Sequence, residues 1–458
     1  MILRLILLAV AFAAATVASA ENRPPHLIFF LADDLRWNAL GHMSGGVVKT
    51  PHIDALAARG TAFQNAFVTT SICCVSRASI LSGQNTRRHG IGDFKTPFTA
   101  DRWKNTYPMK LRAAGYRTGF IGKFGVGDGA SLPKADFDYW DGFPGQGLFF
   151  PPKADPATAR HLTARMGDSA LKFIGEADDS KPICLSLSFK AVHAQDGAPR
   201  EFPPDARDAS LYDDITLVPG PLVNEEAFGK LPIFLQKSEA RRRAERRFVG
   251  ADLWQKTTRD YYRLATGMDR EIGRILDRLR EKGWLERCVV VFSSDNGFYL
   301  GDRGLSDKWF MHEESIRVPL IVADYRSPSA EGRKPVEMAL NIDIAPTLLD
   351  YAGVEIPAGM QGRSLRPFVE GRKAGGWRHE WFYEHKFTNG GSIPDTEGVR
   401  SETWSYVRYT SVNPGGDPPE ELFDLKADPL QLKNLVGDAA SAPLLNEARE
   451  AWKRLGSQ

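Results

Sequence analysis

Cys288-Val289-Val290-Val291-Phe292 is a continuous apolar run, and the chain reaches Asp295-Asn296-Gly297 shortly after it. A strand that is apolar at every position is expected in the middle of a parallel sheet, where helices cover both faces. Ahead of this run, apolar residues recur at helical spacing from Tyr261 to Leu279, and Gly283 is a typical helix-stop residue. The stretch therefore predicts a long helix that leads into a central strand.

Two further strand-like runs favour the same architecture. His26 to Leu31 is followed by Asp33-Asp34, and Ile183 to Phe189 alternates apolar with small residues ahead of Lys190 and His193. Strand-like runs alternate with helical ones along the chain, which is typical of a parallel sheet between two helical layers. We therefore predict an α/β fold with a large, mostly parallel central sheet flanked by helices.

Polar residues follow the carboxyl ends of these strands, and ligands bind at that edge of open α/β sheets. If the strands before Asp33 and Asp295 are parallel neighbours, three carboxylates and one amide oxygen meet there, from Asp33, Asp34, Asp295 and Asn296. Such an all-oxygen set suits calcium or magnesium. Taken singly, each pair is also a common turn or helix-cap sequence, so only the combination indicates a metal site.

Composition limits the class of protein. The chain has 458 residues, 42% of them apolar, which is enough for one large domain with an appendage or for two domains. The formal net charge is only +2. We predict no nucleic-acid partner, because proteins that bind nucleic acids carry a concentrated basic excess. Cys184 and Cys288 fall in strand-like runs, so we expect buried free thiols.

The amino terminus has the features of an export signal. Residues 1–20 contain a basic start with Arg4, an apolar run, and a small-residue cleavage site at Ala18-Ser19-Ala20. The mature chain would begin at Glu21 and be periplasmic or secreted. After residue 20 no apolar stretch is long enough to span a bilayer, so we predict no integral membrane segment.

A pair of adjacent cysteines, Cys73-Cys74, precedes an arginine in the segment Ser-Ile-Cys-Cys-Val-Ser-Arg-Ala-Ser-Ile-Leu-Ser-Gly-Gln, residues 71–84. An arginine cation beside a thiol or its oxidised product stabilises an anionic or strongly polar form of that side chain. The residues after Arg77 predict the first turns of a helix, whose amino terminus favours anions. The alternative is a buried cysteine pair or a vicinal disulfide.

This segment resembles the signature of the type I, formylglycine-dependent sulfatases of the alkaline-phosphatase-like superfamily, Cys-x-Pro-Ser-Arg-x-x-Leu-x-Thr-Gly. Cys73 takes the first place, Ser76-Arg77 match the Ser-Arg pair, Ile80 takes the aliphatic place and Ser82-Gly83 the end, while Val75 replaces the usual Pro or Ala. The resemblance implies that a formylglycine-generating or equivalent maturation enzyme oxidises Cys73 to an aldehyde, whose hydrate is the nucleophile beside Arg77.

The resemblance also implies a metal. Asp33, Asp34, Asp295 and Asn296 match the calcium ligands of the family, and the formylglycine oxygen from Cys73 completes the shell. Calcium is the expected ion, with magnesium as the second candidate. One hydroxyl of the hydrate, ionised by the metal and Arg77, would attack sulfur in line with the leaving alcohol. The other would then expel sulfate and restore the aldehyde.

Three further matches supply cations for a sulfate group. Lys123 ends a segment, residues 115–123, that resembles the strand carrying a sulfate-contacting lysine. His193 follows the strand-like run in the place of a sulfate-binding histidine, and Lys308 matches the second sulfate-binding lysine. We expect His193 and Lys308 to hold the ester and to protonate the departing oxygen. Gly125 stands where many members have a histidine that steadies the hydrate, so that support is absent or comes from another side chain such as His89.

The resemblance extends to the C-terminal part. Short aromatic runs at 381–383 and 404–409, with a segment at 421–435 that is similar to the closing motif of the family, imply a smaller C-terminal antiparallel sheet subdomain. The predicted organisation is a signal peptide over 1–20, a sulfatase catalytic domain over 21–370 and a C-terminal subdomain over 371–458.

One segment has no counterpart in the family pattern. Residues 196–260 are rich in Pro, Asp and Arg, and six basic residues lie on a predicted helix, namely Lys237, Arg241, Arg242, Arg243, Arg246 and Arg247. The favoured interpretation is a solvated charged face. The alternative is a surface beside the pocket that attracts a polyanionic sulfated glycan.

These observations predict a sulfuric ester hydrolase acting on a sulfated sugar or polysaccharide, since the run from Cys73 to Ile80 is most similar to glucosamine-6-sulfatases and related glycan enzymes. A phosphomonoester or phosphodiester hydrolase of the same superfamily is one alternative, although such enzymes usually carry a Ser or Thr nucleophile and more metal-binding histidines. A sulfoglycan-binding pseudoenzyme, in which Cys73 is never oxidised, is the other.

Overall fold

The structure is a computed structural model that describes residues 23–327 and 332–457. The predicted export signal, residues 1–20, lies outside the described residues and stays a prediction. In the part of the chain that is described, no helix combines the length and the apolar character needed to cross a membrane.

A seven-stranded sheet forms the centre of the molecule, in the order β2-β10-β7-β1-β6-β4-β5. Its strands are β1 (His26–Ala32), β2 (Thr61–Ala62), β4 (Arg117–Lys123), β5 (Tyr139–Phe143), β6 (Ile183–Ser188), β7 (Cys288–Ser294) and β10 (Leu320–Asp324). Strands β7, β1, β6, β4 and β5 pair in parallel, and β10 pairs antiparallel with both β7 and β2. The prediction of a large, mostly parallel sheet is confirmed.

Strand β1 lies in the middle of the sheet beside β7, and both of its faces are buried. The apolar run of β7 predicts this position for the two strands. Ile28 and Phe30 pack into one hydrophobic core, and Leu27 and Phe29 pack into the core on the opposite face. The long helix predicted ahead of β7 spans Ala251–Glu281, packs against the helix Leu162–Glu176 and belongs to the first core. Helices therefore cover both faces of the sheet.

The α-helices of the described residues range in length from 4 to 31 residues. They are Pro51–Arg59, Cys73–Ser82, Thr86–His89, Ala100–Trp103, Tyr107–Ala113, Leu162–Glu176, Glu225–Gly229, Ile233–Gln236, Glu239–Arg247, Ala251–Glu281, Glu313–Ile316, Ile344–Tyr351, Arg366–Val369 and Ala442–Gly456.

A second, antiparallel sheet follows near the carboxyl terminus, as expected. It contains β12 (Glu380–His385), β13 (Thr396–Ser401), β14 (Trp404–Tyr409) and β15 (Glu420–Asp424) in sequential order. Its first strand contacts the main domain, because the Tyr383 hydroxyl donates to the Trp309 carbonyl over 2.7 Å. The boundary placed near residue 370 stays a prediction.

Two small two-stranded sheets complete the architecture. One pairs β3 (Asn65–Phe67) with β11 (Met338–Leu340), and the other is a hairpin of β8 (Tyr299–Leu300) and β9 (Ser306–Asp307). The hairpin ends directly before Lys308. All four cysteines are buried free thiols, so the expectation for Cys184 and Cys288 is confirmed and Cys73-Cys74 is not a disulfide.

Candidate active site

The carboxyl ends of β1 and β7 bring the predicted acidic residues together. Residues on these strands pair from His26 with Cys288 to Ala32 with Ser294, so Asp33 and Asp295 leave the sheet side by side. The Asp34 amide donates to Asp295 Oδ1 over 3.1 Å, and Asn296 Nδ2 donates to Asp34 Oδ1 over 2.6 Å. The predicted convergence of these residues at one edge of the sheet is therefore observed.

Cys73 is the first residue of the buried helix Cys73–Ser82. Ile72 before it is extended, and Gly83 after it has φ +64°, a left-handed conformation that suits glycine at a helix end. The Cys73 thiol lies 3.4 Å from Asp33 Oδ1 and 3.9 Å from Asp34 Oδ1. Burial, followed by the Asp33 carboxylate, raises the pKa of the Cys73 thiol well above its usual range. The unmodified side chain is therefore a neutral thiol.

Arg77 follows one helical turn after Cys73 and is 2% exposed. Its Nε donates to Asp295 Oδ2 over 2.8 Å, its Nη1 donates to the Lys123 carbonyl over 2.7 Å and to Ser188 Oγ, and its Nη2 lies 3.5 Å from Asp33 Oδ2. Within the described residues, the buried Nη2 has no hydrogen-bond partner. Arg77 Nη2 is therefore a hydrogen-bond donor available to a ligand beside the Cys73 thiol and the acidic cluster.

Two buried lysines reach the same cluster from different elements. Lys123, the last residue of β4, places Nζ 2.6 Å from Asp33 Oδ2. Lys308, after the β8–β9 hairpin, places Nζ 2.6 Å and 2.8 Å from the two carboxylate oxygens of Asp34. Burial opposes the charge on Lys308, yet Asp34 and the other anions around it raise its pKa well above the usual range. Both lysines are positively charged at neutral pH.

His193, the remaining predicted sulfate-binding residue, also lies beside the acidic cluster. Its Nδ1 lies 2.6 Å from the Ala194 carbonyl, which can only accept, so Nδ1 carries the proton. Its Nε2 faces Asp34 Oδ2 at 3.5 Å. Burial and then the Lys308 charge lower the pKa of His193 well below its usual value. As described, His193 is neutral and offers Nε2 as an acceptor, whereas Lys308 is protonated.

The donor set fits a hard divalent cation. Asp33, Asp34 and Asp295 are each fully buried, and Asn296 Oδ1 has no hydrogen-bond partner among the described residues. Burial, and then repulsion from Asp33, raises the pKa of Asp295 to about 7, and burial also raises the pKa of Asp34. Burial is the main cause of both shifts, and a cation bound among these carboxylates would favour their charged form.

One detail differs from the predicted ligand set. Ligand atoms of Asp33, Asp34, Cys73 and His193 all lie within 4.8 Å of one another, whereas Asp295 contacts Arg77 and the Asp34 amide. His193, expected to hold the ester and to protonate the departing oxygen, is thus also close enough to the carboxylates to be a ligand.

Sequence reasoning missed Gln146. It lies between Gly145 (φ +63°) and Gly147 (φ +66°) in the loop after β5, and its Oε1 accepts from Lys123 Nζ over 2.6 Å. No motif pointed to it, since a glutamine between two glycines indicates only a turn. Ser188 was missed as well, because it lay within a predicted strand.

Gly125 packs directly against the catalytic region. It has φ +75°, and a Cβ atom built there would lie 2.6 Å from Arg77 Cδ. Both ring nitrogens of His89 are engaged elsewhere: Nε2 bonds with Ser79 Oγ over 3.0 Å, and Nδ1 accepts from the Ile91 amide over 3.1 Å. His89 is therefore not a substitute for the family histidine, and Arg77 takes up the space beside Gly125.

Comparison with known proteins indicates a family for the chain as a whole. The family model described as "Sulfatase" matches residues 25–354, and the model for the C-terminal region of N-sulphoglucosamine sulphohydrolase matches residues 301–458. An N-acetylglucosamine-6-O-sulfatase of Bacteroides thetaiotaomicron is 29% identical over 94% of this chain and 88% of its own length. A choline-sulfatase of Rhizobium meliloti is 27% identical over 90% of this chain and 82% of its own length.

Solved structures show the same relationship. A protein in complex with its substrate D-glucosamine-2-N,6-O-disulfate superposes with a TM-score of 0.79 at 26% identity, over 94% of this chain and 97% of that one. A phosphonate monoester hydrolase of Agrobacterium radiobacter, 22% identical with a TM-score of 0.76, covers 95% of this chain and 96% of its own, and it shows the shared fold alone. Because the sulfatase model matches well over half of the chain, the protein belongs to the sulfatase family of sulfuric ester hydrolases.

Proposed function

We propose that this sulfatase removes sulfate from a sulfated sugar, using a formylglycine formed from Cys73. The observation that carries the proposal is the position of Cys73. It begins a buried helix and faces Asp33 and Asp34, and the side chains of Arg77, Lys123 and Lys308 contact those carboxylates. A sulfate monoester carries negative charge around its sulfur, so this ring of buried cations supplies the electrostatic stabilisation that such a group requires.

The state of the thiol supports the proposed modification. A thiolate is the nucleophilic form of cysteine, but burial and the nearby Asp33 carboxylate raise the pKa of Cys73 well above its usual range. An unmodified Cys73 is therefore poorly suited to attack an anionic ester. An aldehyde hydrate at the same position supplies the nucleophile and, because it carries a second hydroxyl, a route for releasing sulfate without an outside water.

Each of the surrounding residues has a proposed task. Arg77 Nη2, which has no hydrogen-bond partner among the described residues and lies 3.5 Å from Asp33 Oδ2, donates to an oxygen bound next to residue 73. Lys123 and Lys308 bind the sulfate oxygens, exchanging contacts to Asp33 and Asp34 for contacts to the ester. Lys308 donates the proton to the departing sugar oxygen, while His193 Nε2, an acceptor in the neutral ring, takes a hydrogen bond from a hydroxyl group of the sugar.

The proposed cofactor is calcium, with magnesium as the second candidate. Asp33, Asp34, Asp295 and Asn296 would hold it, with His193 close to the same oxygens. All-oxygen ligand sets favour hard cations. When bound, the dication supplies charge neutralisation at the reacting group and lowers the pKa of an oxygen attached to it.

The substrate class follows from the relatives. One relative is an N-acetylglucosamine-6-O-sulfatase, and one structural neighbour holds D-glucosamine-2-N,6-O-disulfate. A sulfated amino sugar is therefore the proposed substrate. Phosphoester hydrolysis is the second candidate, since a phosphonate monoester hydrolase has the same fold, but the cysteine at position 73 and the single histidine in the acidic cluster favour sulfate.

Two further proposals concern the export of the protein and the oxidation of Cys73. The composition of residues 1–20 supports export to the periplasm or the medium, and an amino terminus at Glu21 in protein recovered from its native host would bear this out. The buried position of Cys73 supports oxidation by a maturation enzyme before folding is complete, when the segment is still accessible.

The substrate proposal is tested by comparing glucosamine 6-sulfate with glucosamine 6-phosphate, using protein made in its native host. We expect sulfate release to exceed phosphate release by about a hundredfold or more. Cys73→Ala should lower sulfate release by about a thousandfold or more, whereas Cys74→Ala, the matched control in the adjacent buried position, should retain it.

Faster phosphate release would favour the phosphoester alternative. Tight binding of the sulfated sugar without any hydrolysis would favour a binding protein.

The metal proposal is tested by thermal unfolding with calcium or magnesium after treatment with a chelator. Ligand binding to the folded state at a hundred times Kd adds about 2.7 kcal/mol of stability, so calcium should raise the unfolding temperature of the wild type. Asp34→Asn should lose this shift, while Asp101→Asn, whose side chain is 97% exposed, should keep it. An equal shift in both variants, or none in the wild type, would contradict the site.

The contact between Gly125 and Arg77 is tested with Gly125→Ala. The new Cβ would lie 2.6 Å from Arg77 Cδ, so Arg77 must move, and we expect kcat/KM to fall by about tenfold or more. Gly353→Ala is the matched control, with φ +68° and no heavy atom within 4 Å. Both changes carry a left-handed backbone cost of about 1–2 kcal/mol, but only the first should alter turnover. Equal activity in the two variants would contradict this role of Arg77.

A further inference from the structure

The basic helix Glu239–Arg247 is not a uniformly solvated face. Arg242 and Arg246 have side chains that are 52% exposed, whereas the side chain of Arg243 is 18% exposed and that of Arg247 only 1% exposed. Arg243 and Arg247 are four residues apart, so the half-buried and the buried arginine lie on one side of the helix. That side faces the loops that carry Lys308 and His193.

The first contact is with the residue before Lys308. Asp307 is fully buried and accepts from Arg243 Nη1 over 2.9 Å through Oδ1 and from Arg247 Nη1 through Oδ2. Asp307 has φ +67° and Trp309 has φ +88°, so Lys308 is flanked by two non-glycine residues in the left-handed region. Such a backbone persists only where its surroundings hold it. The Arg243 guanidinium also lies 5.2 Å from the Trp309 ring centroid.

The second contact is with the loop that follows His193. Asp196 accepts from Arg247 Nη2 over 2.5 Å and from Arg243 Nη1 over 3.1 Å. Glu201 accepts from Arg247 Nε, and its carbonyl accepts from the Gln195 amide over 2.6 Å. The same two guanidinium groups therefore join the His193 loop to the Lys308 loop.

We propose that Arg243 and Arg247 are positioning residues that fix Lys308, and with it His193, for departure of the sugar oxygen. This proposal rests on the function proposed above. Neither arginine needs to touch the substrate. They act by holding Asp307 and Asp196, and so determine where the Lys308 ammonium lies. A guanidinium binds two carboxylates in a fixed, planar geometry, whereas a lysine ammonium is a compact point charge on a flexible stem.

The contacts favour this role over attraction of a polyanion. The guanidinium groups of Arg243 and Arg247 pair with acidic side chains of the protein, namely Asp307, Asp196, Glu201 and Glu239. The exposed Arg242 also pairs with Glu239, over 2.7 Å. The positive charge of the helix is therefore largely offset within the protein. A surface that collects polyanions instead needs unpaired basic side chains that face solvent.

The test compares Arg243→Ala with Arg242→Ala, which removes the same charge from the exposed side of the same helix. Turnover is measured with 4-nitrophenyl sulfate and with phenyl sulfate, a poorer leaving group. Arg243→Ala should lower kcat by about 10- to 100-fold, with the larger loss on phenyl sulfate, because protonation of the departing oxygen matters more there. Arg242→Ala should stay within about twofold of the wild type on both.

Two additional variants separate positioning from folding. Arg243→Lys keeps the charge but loses the fork of donors, and should show intermediate activity. In a Lys308→Ala background, Arg243→Ala should cost less than about twofold, because residues that act as a unit are not additive. Thermal unfolding of each variant, measured alongside, shows whether the protein compared is folded.

The outcomes are distinct. Equal losses in Arg242→Ala and Arg243→Ala, or an undiminished effect of Arg243→Ala without Lys308, would overturn the positioning role. A KM for a sulfated polysaccharide alone that rises equally in Arg242→Ala and Arg243→Ala, with a difference from the wild type that shrinks as salt is added, would assign the helix to polyanion binding instead. A wild-type protein that releases no sulfate from glucosamine 6-sulfate would overturn the proposed function, and that assay is separate from the comparison of the arginine variants.

Discussion

A buried guanidinium joins the ends of four parallel strands in this protein. Arg77 contacts Asp295 after β7, Asp33 after β1, Ser188 at the end of β6 and the carbonyl of Lys123 at the end of β4. A buried charge is costly unless it is paired on several sides. The ends of the four strands must therefore lie close enough together for all of these groups to contact Arg77. Because Arg77 is one turn from Cys73 on a buried helix, the same constraint fixes residue 73 against the acidic cluster.

The electrostatics of the site follow from that arrangement. Three carboxylates lie with three cationic side chains in a region without exposure to solvent. Burial raises the pKa of Asp34 and brings that of Asp295 to about 7, while the charges of Lys123 and Arg77 hold the pKa of Asp33 well below its usual value despite burial. The site is thus suited both to a dication and to an anionic ester. It is unsuited to an ionised thiol.

Much of this could be predicted from sequence because the signals are local. The apolar run at β7 and the acidic pairs after β1 and β7 identify a parallel sheet and its ligand-binding edge, and the segment around Cys73 identifies the family. What lies beyond local patterns was not predictable. Gln146 contacts Lys123 from a loop. Asp307 accepts hydrogen bonds from Arg243 and Arg247, which are more than fifty residues away in the chain. Such contacts depend on tertiary packing, which leaves no periodicity in the sequence.

The central claim is that Cys73 is converted to formylglycine, and mass spectrometry of the peptide that contains Cys73 and Cys74 tests it most directly. The protein should come from its native host and be digested after alkylation of free thiols. The account predicts one alkylated cysteine, at position 74, and an aldehyde at position 73 that reacts with a hydrazine reagent. Two alkylated cysteines and no aldehyde, in a preparation that releases sulfate from its substrate, would contradict it.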